Sequence, residues 1–562
     1  MEDASQKNKQ KESMDKHKSS VSILYTAFLT VLIVIIIYLS YFASLPIVRS
    51  IKTLTYQFQV DNVEGYLLDQ ALKLKEGKPI YTSINDYPYL VGTYAPVFPL
   101  INSFFLIFSK PTFFFGRLIN LIAYLLISFF SGLIVYNHKK KLLASFLTIV
   151  IFLSSYSVYI WASYYRVDFL AMLFGIIGIY LVSKNKLNLS LLFFTLAFYT
   201  KQTEIAPIIA TVMFLFLTNY KTALKFIFKL CIIILNIFII LNLLTHNEYA
   251  KNAIVYNVNK FSFFDLKVWL RHYFLFYEYL IILIIVFIIY WLITKIGTDT
   301  CLLSLFSQRS SPLNQNSVQE SRDRRLPSAP TLFVLYFFIS QLTLISIAKV
   351  GSAPNYLIEP ILTLAIMIGF IISYNLSILK NRVNSTPTLC HSEHSEEARI
   401  QYLEYIFIII SIMLLVFHSQ RITIHKRIEW ANTTPDYTDN IKGRKILYVI
   451  SSTDGEIITE DPIYAILSGK QVLFHPFIMT QLSNQKQLSN QKLWDQTQFV
   501  NDLKRRRFDF IITTKNILDK KIFVDNYTPE MLEAIRQNYS LYHFEPDVAG
   551  IDYFILKTKI RS

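Results

Sequence analysis

The sequence predicts a mainly α-helical, polytopic membrane protein that ends in a small α/β domain. Of its 562 residues, 53% are hydrophobic and 15% are aromatic, and the mean hydropathy is +0.38. A soluble protein this apolar would have more nonpolar surface than its core could bury. The nonpolar residues also form about 11 runs separated by polar turns, as expected for membrane-spanning helices.

Charge and cysteine content exclude several other classes. The net charge of +16 comes from lysines and arginines in short turns, which is typical of the cytoplasmic loops of membrane proteins and not of nucleic-acid binding. Membrane lipids are therefore expected partners, and nucleic acid is not. The three cysteines, Cys231, Cys301 and Cys390, are scattered, so the sequence indicates neither a disulfide framework nor a zinc site.

The N-terminal part predicts one span followed by a polar segment outside the membrane. Residues 1–20 are rich in lysine and are predicted to be a disordered cytoplasmic tail. The apolar run that follows should cross the membrane and emerge near Ser44. Residues 45–112 then form a first outer loop, with a helix at 65–74. The apolar run at 96–110 is short and flanked by proline, so we expect it to lie on the surface.

Ten further runs complete the predicted membrane core at 21–418. Two inner loops, 296–330 and 377–400, are rich in polar residues and are predicted to be disordered inserts. The second contains Cys390, His391 and His394, which lack zinc-like spacing and are better explained as part of a flexible insert. A second outer loop is expected at 245–278. The lysine-rich tail and the basic inner turns place the N-terminus in the cytoplasm, and the odd number of spans then places residues 419–562 outside it.

The C-terminal segment 419–562 has the pattern of an α/β domain. Strands are predicted at 445–451, 470–476, 508–514 and 551–558, with a helix at 499–507. The repeated QLSNQK at 481 and 487 is predicted to lie in a loop tip. There is no glycine-rich phosphate loop, so a nucleotide site is not expected.

Charged residues from distant parts of the chain fall at the outer ends of the predicted spans. Charges near a bilayer are costly and tend to be kept for function. Each could instead extend its charged end to the membrane surface, but this mixture of acids and bases at one face indicates a polar pocket. The residues are Asp61, Glu64, Arg117, Arg166, Asp168, Lys201 and Lys349.

These residue types indicate a general base next to a phosphate site. Asp61 could take a proton from an acceptor hydroxyl, and Glu64 could hold the acceptor or a divalent ion. Lysine and arginine at the same face suit a phosphate group. Tyrosines of the first outer loop suit sugar faces or the membrane interface equally well; they are Tyr81, Tyr87, Tyr89 and Tyr94.

The chain resembles the GT-C superfamily of membrane glycosyltransferases, of the kind that includes protein O-mannosyltransferases and lipid A aminoarabinose transferases. The resemblance covers residues 14–417. It is carried by the two acids at 61 and 64, followed in order by GKPIY at 77–81, YAPVFP at 94–99, GRL at 116–118, YRVDF at 165–169, the TK turn at 200–201 and GSAPNYLIEP at 351–360.

The resemblance implies inverting transfer of a sugar from a polyprenyl-phosphate donor to a lipid, glycan or protein acceptor outside the cytoplasmic membrane. Asp61 would be the general base. Lys201, Arg166 and Arg117 would bind the donor phosphate. Glu64 and Asp168 would bind substrate or a divalent metal ion, although the two acids of the first motif are separated here where several subfamilies have them adjacent. Tyr81, Tyr94, Asn355 and Tyr356 would contact the acceptor or the sugar.

Two other functions fit a protein of this class. A flippase or another secondary transporter would place charged residues at the middle of the bilayer and show two similar halves. A polysaccharide polymerase would carry its large outer loop late in the chain, whereas the loop with candidate chemistry is early here. An enzyme of the predicted kind should have both outer loops covering one cavity.

Overall fold

The computed structural model describes residues 2–257, 259–306, 329–384, 394–429, 434–485 and 493–559. Helices dominate the part of the chain before residue 430. They are α1 (Glu2–Leu54), α2 (Glu64–Lys75), α3 (Val97–Leu106), α4 (Phe114–Lys139), α5 (Leu142–Leu153), α6 (Tyr156–Trp161), α7 (Asp168–Ser183), α8 (Leu187–Thr200), α9 (Ala206–Thr218), α10 (Tyr220–Leu244), α11 (Glu248–Ala253), α12 (Phe263–Phe306), α13 (Ala329–Leu342), α14 (Ile358–Asn384) and α15 (His394–Glu429).

Seven stretches of the described chain are long and apolar enough to cross a membrane. They are Ser19–Leu54, Phe114–Lys139, Tyr220–Leu244, Phe263–Thr294, Pro330–Ala348, Pro354–Asn384 and Arg399–Ile422. The shorter apolar helices α5, α7, α8 and α9 pack among them. The protein is therefore a multi-pass membrane protein, and these eleven elements match the predicted runs. The ten-residue helix α3 is the run expected to lie on the surface.

The bundle differs from the sequence prediction at three places. Helix α1 begins at Glu2, so it includes residues 2–20, where a disordered tail is predicted; lysine and glutamate are good helix formers and extend the apolar span. The predicted span at 142–165 is divided into α5 and α6, because Ser155 caps a new helix by accepting from the Val158 N–H at 3.4 Å. Helices α12, α14 and α15 extend into the predicted inserts, and residues 307–328 and 385–393, which include Cys390 and His391, lie outside the described residues.

The C-terminal part is an α/β unit with a four-stranded sheet, which confirms the predicted fold class. The strands are β1 (Ile457–Thr459), β2 (Phe510–Thr513), β3 (Tyr539–Val548) and β4 (Ile551–Thr558), in the order β1-β2-β4-β3. Strands β1 and β2 are parallel, and the other two pairs are antiparallel. The helices are α16 (Tyr437–Ile450), α17 (Pro462–Leu467), α18 (Pro476–Asn484), α19 (Thr497–Lys504) and α20 (Pro529–Asn538).

Two of the predicted strands are not strands. Residues 445–451 belong to α16, whose buried positions Gly443, Ile446 and Ile450 have helical spacing. A capping box between Asp436 and Asp439 begins this helix. Of residues 470–476, Pro476 begins α18, and the rest stay outside the sheet; Leu473 and His475 instead share backbone hydrogen bonds with Tyr89 of the first outer loop. The second copy of QLSNQK lies outside the described residues, and the first overlaps the end of α18.

The C-terminal unit and the first outer loop share hydrophobic cores. Tyr89 and Ile84 of the loop pack with Phe474 and Phe499 of the C-terminal unit. In a second cluster, Phe58 lies against Tyr464, with ring centroids 5.4 Å apart. Burial of large aromatic side chains across this boundary fixes the unit on one end of the bundle. We call that end the site end.

Candidate active site

Three polar side chains that the sequence predicts to be functional meet at the site end of the bundle. Asp61 lies between α1 and α2, Asp168 begins α7, and Lys201 follows α8. Asp168 and Lys201 therefore stand at helix ends, and Asp61 lies in the segment that joins α1 to α2. Asn355, in the turn that precedes α14 (the late turn), joins them.

Asp168 is buried at the centre of this cluster. Its Oδ1 accepts from Lys201 Nζ at 2.8 Å and from Asn355 Nδ2 at 2.7 Å. Its Oδ2 accepts from Trp161 Nε1 at 3.2 Å and from Arg166 Nε at 3.4 Å. A carboxylate with four donors is well stabilised as an anion, so Asp168 fixes the positions of two cations and one amide.

Arg166 links Asp168 to Asp61. Its Nη1 donates to Asp61 Oδ2 at 2.9 Å, and its Nη2 donates to the Tyr94 hydroxyl at 3.3 Å. The guanidinium also lies 5.4 Å from the centre of the Trp161 ring, within the range of a cation–π contact. The planar group is thus held between two carboxylates, in a fixed orientation.

Asp61 has the environment of a candidate general base. Its Oδ2 accepts from Arg166 and from the Val63 N–H, the latter at 3.1 Å. Within the described residues, no hydrogen bond reaches Oδ1, and the residue lines a cavity. Burial raises the pKa of Asp61, and the neighbouring Arg166 opposes that rise. One carboxylate oxygen is therefore oriented by two donors, while the other accepts no hydrogen bond from the described residues.

Glu64 and Arg117 are brought together, but away from the cavities. Both side chains are fully buried, and two hydrogen bonds of 3.1 and 2.9 Å join them. Arg117 also donates to the carbonyls of Thr53, Tyr56 and Phe58. This pair ties the end of α1 to α2 and α4. Its geometry supports a structural role in place of the phosphate-binding role predicted for Arg117 and the substrate or metal role predicted for Glu64.

Two adjoining cavities open between the bundle and the C-terminal unit. The basic cavity, of about 160 Å³, has Arg166, Lys201 and Lys349 as its charged lining residues. The acidic cavity, of about 410 Å³, has Asp61, Glu460 and Asp525 with Arg166 and Lys515. Their common wall is formed by Val63, Tyr66, Tyr94, Arg166, Gly351, Ala353, His475 and Phe477. The site is one chamber with two differently charged halves.

Both outer loops cover the basic cavity, as predicted for an enzyme of this kind. Asn257 of the second loop donates to the Thr93 carbonyl of the first at 3.0 Å. Nearby, the Gly92 N–H donates to Asn252 at 2.9 Å. The Lys349 Nζ reaches the Asn257 Oδ1 at 2.6 Å and connects the late turn to the same wall.

The four residues predicted to contact acceptor or sugar are divided between wall and support. Tyr94, Asn355 and Tyr356 line the basic cavity. Asn355 Oδ1 is buried and accepts no hydrogen bond from the described residues, and Tyr356 lies under Lys201 at 5.0 Å. Tyr81 is outside both linings; its hydroxyl donates to the Tyr94 carbonyl at 2.8 Å, so it supports the wall.

The structure adds residues that sequence reasoning did not place in the site. Lys349 is one of the charged residues predicted to form a polar pocket, without an assigned role, and burial together with Lys201 lowers its pKa to about 8. His475 and Glu460 come from the C-terminal unit, more than 390 residues after Asp61. No local motif marks either residue. The only signal is the apolar stretch before His475, which pairs with the first outer loop.

Glu64 and Asp168, the two carboxylates predicted to bind substrate or a divalent metal ion, lack the free oxygen ligands that such an ion needs. Among the described residues, no three His, Cys, Asp or Glu side chains lie close enough together to hold one. Glu64 and Asp168, the predicted candidates, are each bound to side-chain cations. A hard cation needs several free oxygen ligands, and these oxygens already accept from arginine or lysine.

Comparisons with known proteins give two structural neighbours. No protein-family model matches the chain, and no curated protein matches it. Two crystal structures of ArnT from Cupriavidus metallidurans are similar, one bound to undecaprenyl phosphate (TM-score 0.48) and one in the apo state (TM-score 0.49). In each case the identity is 11%, and the similarity covers 92% of this chain and 97% of that chain.

Proposed function

We propose that this chain is a membrane glycosyltransferase that moves a sugar from a polyprenyl-phosphate donor to an acceptor hydroxyl. The observation that carries the proposal is the placement of a carboxylate, Asp61, beside a basic cavity lined by Arg166, Lys201 and Lys349. A base and an anion site in one chamber are what such a transfer requires.

The basic cavity suits the phosphate of the donor. Lysine and arginine bind phosphate through charge-assisted hydrogen bonds. Lys201 and Arg166 are held by Asp168 before any ligand arrives, at 2.8 and 3.4 Å. Preorganised cations stabilise charge as it develops on a leaving group. Because the cavity lies at the end of the membrane helices, a lipid could keep its chain in the bilayer and present its phosphate here.

The reaction is a single displacement at the anomeric carbon. The acceptor oxygen forms a bond to that carbon as its proton passes to Asp61, and the bond from the carbon to the phosphate oxygen breaks. The electron pair stays on the phosphate, next to Lys201 and Arg166. The products are the glycosylated acceptor, the polyprenyl phosphate and a protonated Asp61. One displacement inverts the anomeric configuration. Asp168, bound to cations on both oxygens, is a positioning residue.

The arrangement favours this enzyme over the two alternatives. A transporter would need its charged groups near the middle of the bilayer, whereas Asp61, Arg166 and Lys201 lie at helix ends. A polymerase with a late outer loop would place its chemistry there, whereas Asp61 belongs to the early loop. In the proposed topology, the site end faces outward from the cytoplasmic membrane and the N-terminus is cytoplasmic, consistent with the basic turns at the other end.

The replacement Asp61→Asn tests the proposal. It keeps the size of the side chain and removes the base, and loss of a general base typically slows a reaction by a factor of about 10²–10⁴. The measurement is transfer of labelled sugar from polyprenyl-phosphate donors to membrane acceptors, with the full-length protein in nanodiscs. Asp86→Asn, at an exposed position of the same loop, is the matched control.

We expect Asp86→Asn to retain wild-type transfer and Asp61→Asn to lose it, with equal amounts of folded protein in both. The pH profile of the wild type should rise as Asp61 loses its proton, and that limb should disappear with Asp61→Asn. An Asp61→Asn protein that transfers sugar at the wild-type rate would contradict the proposal.

A further inference from the structure

We infer that the acidic cavity is the acceptor subsite and that the C-terminal unit shapes it for a neutral saccharide. This rests on the proposed function and names the class of its second substrate. Four observations carry it: the sheet edge that lines the cavity, the fixed polar groups on that edge, the aromatic wall opposite, and the balance of charge.

The first observation is the position of the sheet. Glu460 directly follows β1, and Thr514 directly follows β2. These strands are parallel and in register, with Ile458 opposite Ile511, so their carboxyl ends meet at one edge. Both residues line the acidic cavity. In α/β folds, ligands bind at the carboxyl ends of parallel strands, and here that edge faces Asp61 of the membrane part.

The second observation is that polar groups on this edge are held in place. The Glu460 Oε2 accepts from the Thr514 N–H at 2.8 Å and from the Thr514 Oγ1 at 2.5 Å. Burial raises the pKa of the Glu460 carboxyl, and Thr514 and the nearby Asn526 side chain oppose that rise. At the rim, Lys515 donates to Asp525 at 3.3 Å. Hydroxyl, amide, carboxylate and ammonium groups therefore offer both donors and acceptors, as a polyhydroxylated ligand requires.

The third observation is an aromatic wall, which the acidic cavity shares with the basic one. The rings of Tyr66 and His475 are stacked, with centroids 3.8 Å apart and planes 12° apart, and Phe477 lies beside them. The His475 Nδ1 accepts from the Ile478 N–H at 3.4 Å, so a neutral ring carries its proton on Nε2. Burial lowers the pKa of His475 to about 3, which keeps the ring neutral. This wall offers flat apolar faces and an uncharged donor, and both suit a sugar ring.

The fourth observation is the charge of the two cavities. The acidic cavity has three carboxylates against two cations, and each cation is paired with a carboxylate there: Arg166 with Asp61 and Lys515 with Asp525. The described lining of the basic cavity has three cations and no carboxylate; Asp168, behind that lining, pairs with Arg166 and Lys201, and Lys349 has no acidic partner among the described residues. A phosphate would be attracted to the basic cavity and repelled from the acidic one. A neutral saccharide is not repelled by the carboxylates, and its hydroxyl would lie next to Asp61.

The test uses the full-length protein in nanodiscs and two kinds of variant. Lys515→Ala and Asn526→Ala each remove a polar group from the rim of the acidic cavity and leave the proposed catalytic residues intact. Lys520→Ala, an exposed lysine of the same loop that does not line the cavity, is the matched control. Saturation-transfer NMR measures binding of neutral disaccharides, of the corresponding sugar 1-phosphates and of a serine-containing peptide. Binding of undecaprenyl phosphate is measured in parallel.

We expect a neutral disaccharide to bind more tightly than the phosphorylated sugars and the peptide. Each rim variant should weaken that binding by about threefold to tenfold, the loss of one or two hydrogen bonds. Undecaprenyl phosphate binding should be unchanged in both variants, and Lys520→Ala should match the wild type in every assay. The acceptor KM should rise with the disaccharide Kd while kcat stays constant.

Three results would overturn the inference: no neutral saccharide binds, the peptide or a sugar phosphate binds in preference, or the rim variants bind disaccharide as the wild type does. These outcomes are separate from failure of the proposed function. If Asp61→Asn retains full transfer, the proposed function fails, whatever binds in the acidic cavity. If Asp61→Asn is inactive and saccharide binding does not depend on the rim, only the acceptor subsite fails.

Discussion

The two halves of the chamber differ in charge and in the part of the chain that builds them. Membrane helix ends and outer loops supply the cations of the basic cavity, Arg166, Lys201 and Lys349. The C-terminal unit supplies most of the polar groups of the acidic cavity, including Glu460 and Lys515. Arg166 and Tyr94 belong to both. The difference indicates that one wall separates an anion site from a hydroxyl site, and the proposed base, Asp61, lines the hydroxyl side next to Arg166 of that wall.

Two arginine–carboxylate pairs near this wall differ in burial, and this difference separates a ligand-binding role from a structural one. Arg166 and Asp61 are joined at 2.9 Å, and the Asp61 side chain is 17% exposed. Arg117 and Glu64 are joined at the same distance, and both side chains are 0% exposed. The first pair can exchange contacts with a ligand. The second has no access to one, so it can only support the structure around the cavities.

The largest expected effect is a loss of stability when the buried ion pair between Arg117 and Glu64 is broken. Arg117→Met leaves the Glu64 carboxylate buried without its partner, and such a loss costs about 3–5 kcal/mol of unfolding free energy. We expect a large fall in thermal stability in nanodiscs, measured against Arg505→Met at an exposed position. The fraction that remains folded should bind undecaprenyl phosphate with the wild-type Kd. If Arg117→Met has wild-type stability but binds undecaprenyl phosphate more weakly, Arg117 contributes to phosphate binding, as the sequence predicts, and the structural role is wrong.

A smaller effect is expected on phosphate binding when Lys349 in the basic cavity loses its charge. Because burial and Lys201 lower its pKa to about 8, Lys349 is positive below that pH and becomes neutral as the pH rises through it. Loss of one charged contact should weaken undecaprenyl phosphate binding by up to about tenfold. We expect the Kd to increase between about pH 7 and pH 9, since the charge is lost across the pKa.

The variants of Lys349 separate charge from packing. Lys349→Met should bind weakly at all pH values, and Lys349→Arg should bind tightly at all of them, because arginine stays charged. Lys260→Met, at an exposed position of the second outer loop, should match the wild type. A pH dependence that persists in Lys349→Met would assign the titration to another group. Saccharide binding in the acidic cavity should be unaffected by either variant of Lys349.

The site residues of the membrane part could be predicted from the sequence because polar residues are conspicuous in an apolar chain. Asp61, Arg166, Asp168 and Lys201 were predicted together, and they do meet. The sequence distinguished Asp61 as the base from Glu64 as a ligand for substrate or metal, but it could not show that packing against Arg117 buries Glu64 completely. The helical bundle and its eleven apolar elements were predictable for the same reason, because length and hydropathy determine a span.

The C-terminal unit was harder to predict because its contacts are distant in sequence. Ile446 and Ile450 fit a strand or a helix on short-range pattern alone, and the capping box at Asp436 decides for the helix. Residues 470–476 have strand composition, but their partner is Tyr89 of the first outer loop. His475 reaches the site through that pairing, and no local signal in the sequence reports it.

The most direct test of the two-cavity account is a cryo-EM structure of the full-length protein in nanodiscs with undecaprenyl phosphate. The account predicts that the phosphate lies in the basic cavity, within hydrogen-bonding distance of Lys201 and Lys349, and that the acidic cavity beside Asp61 remains open for the acceptor. A phosphate bound in the acidic cavity, or at the basic turns of the opposite end of the bundle, would contradict it.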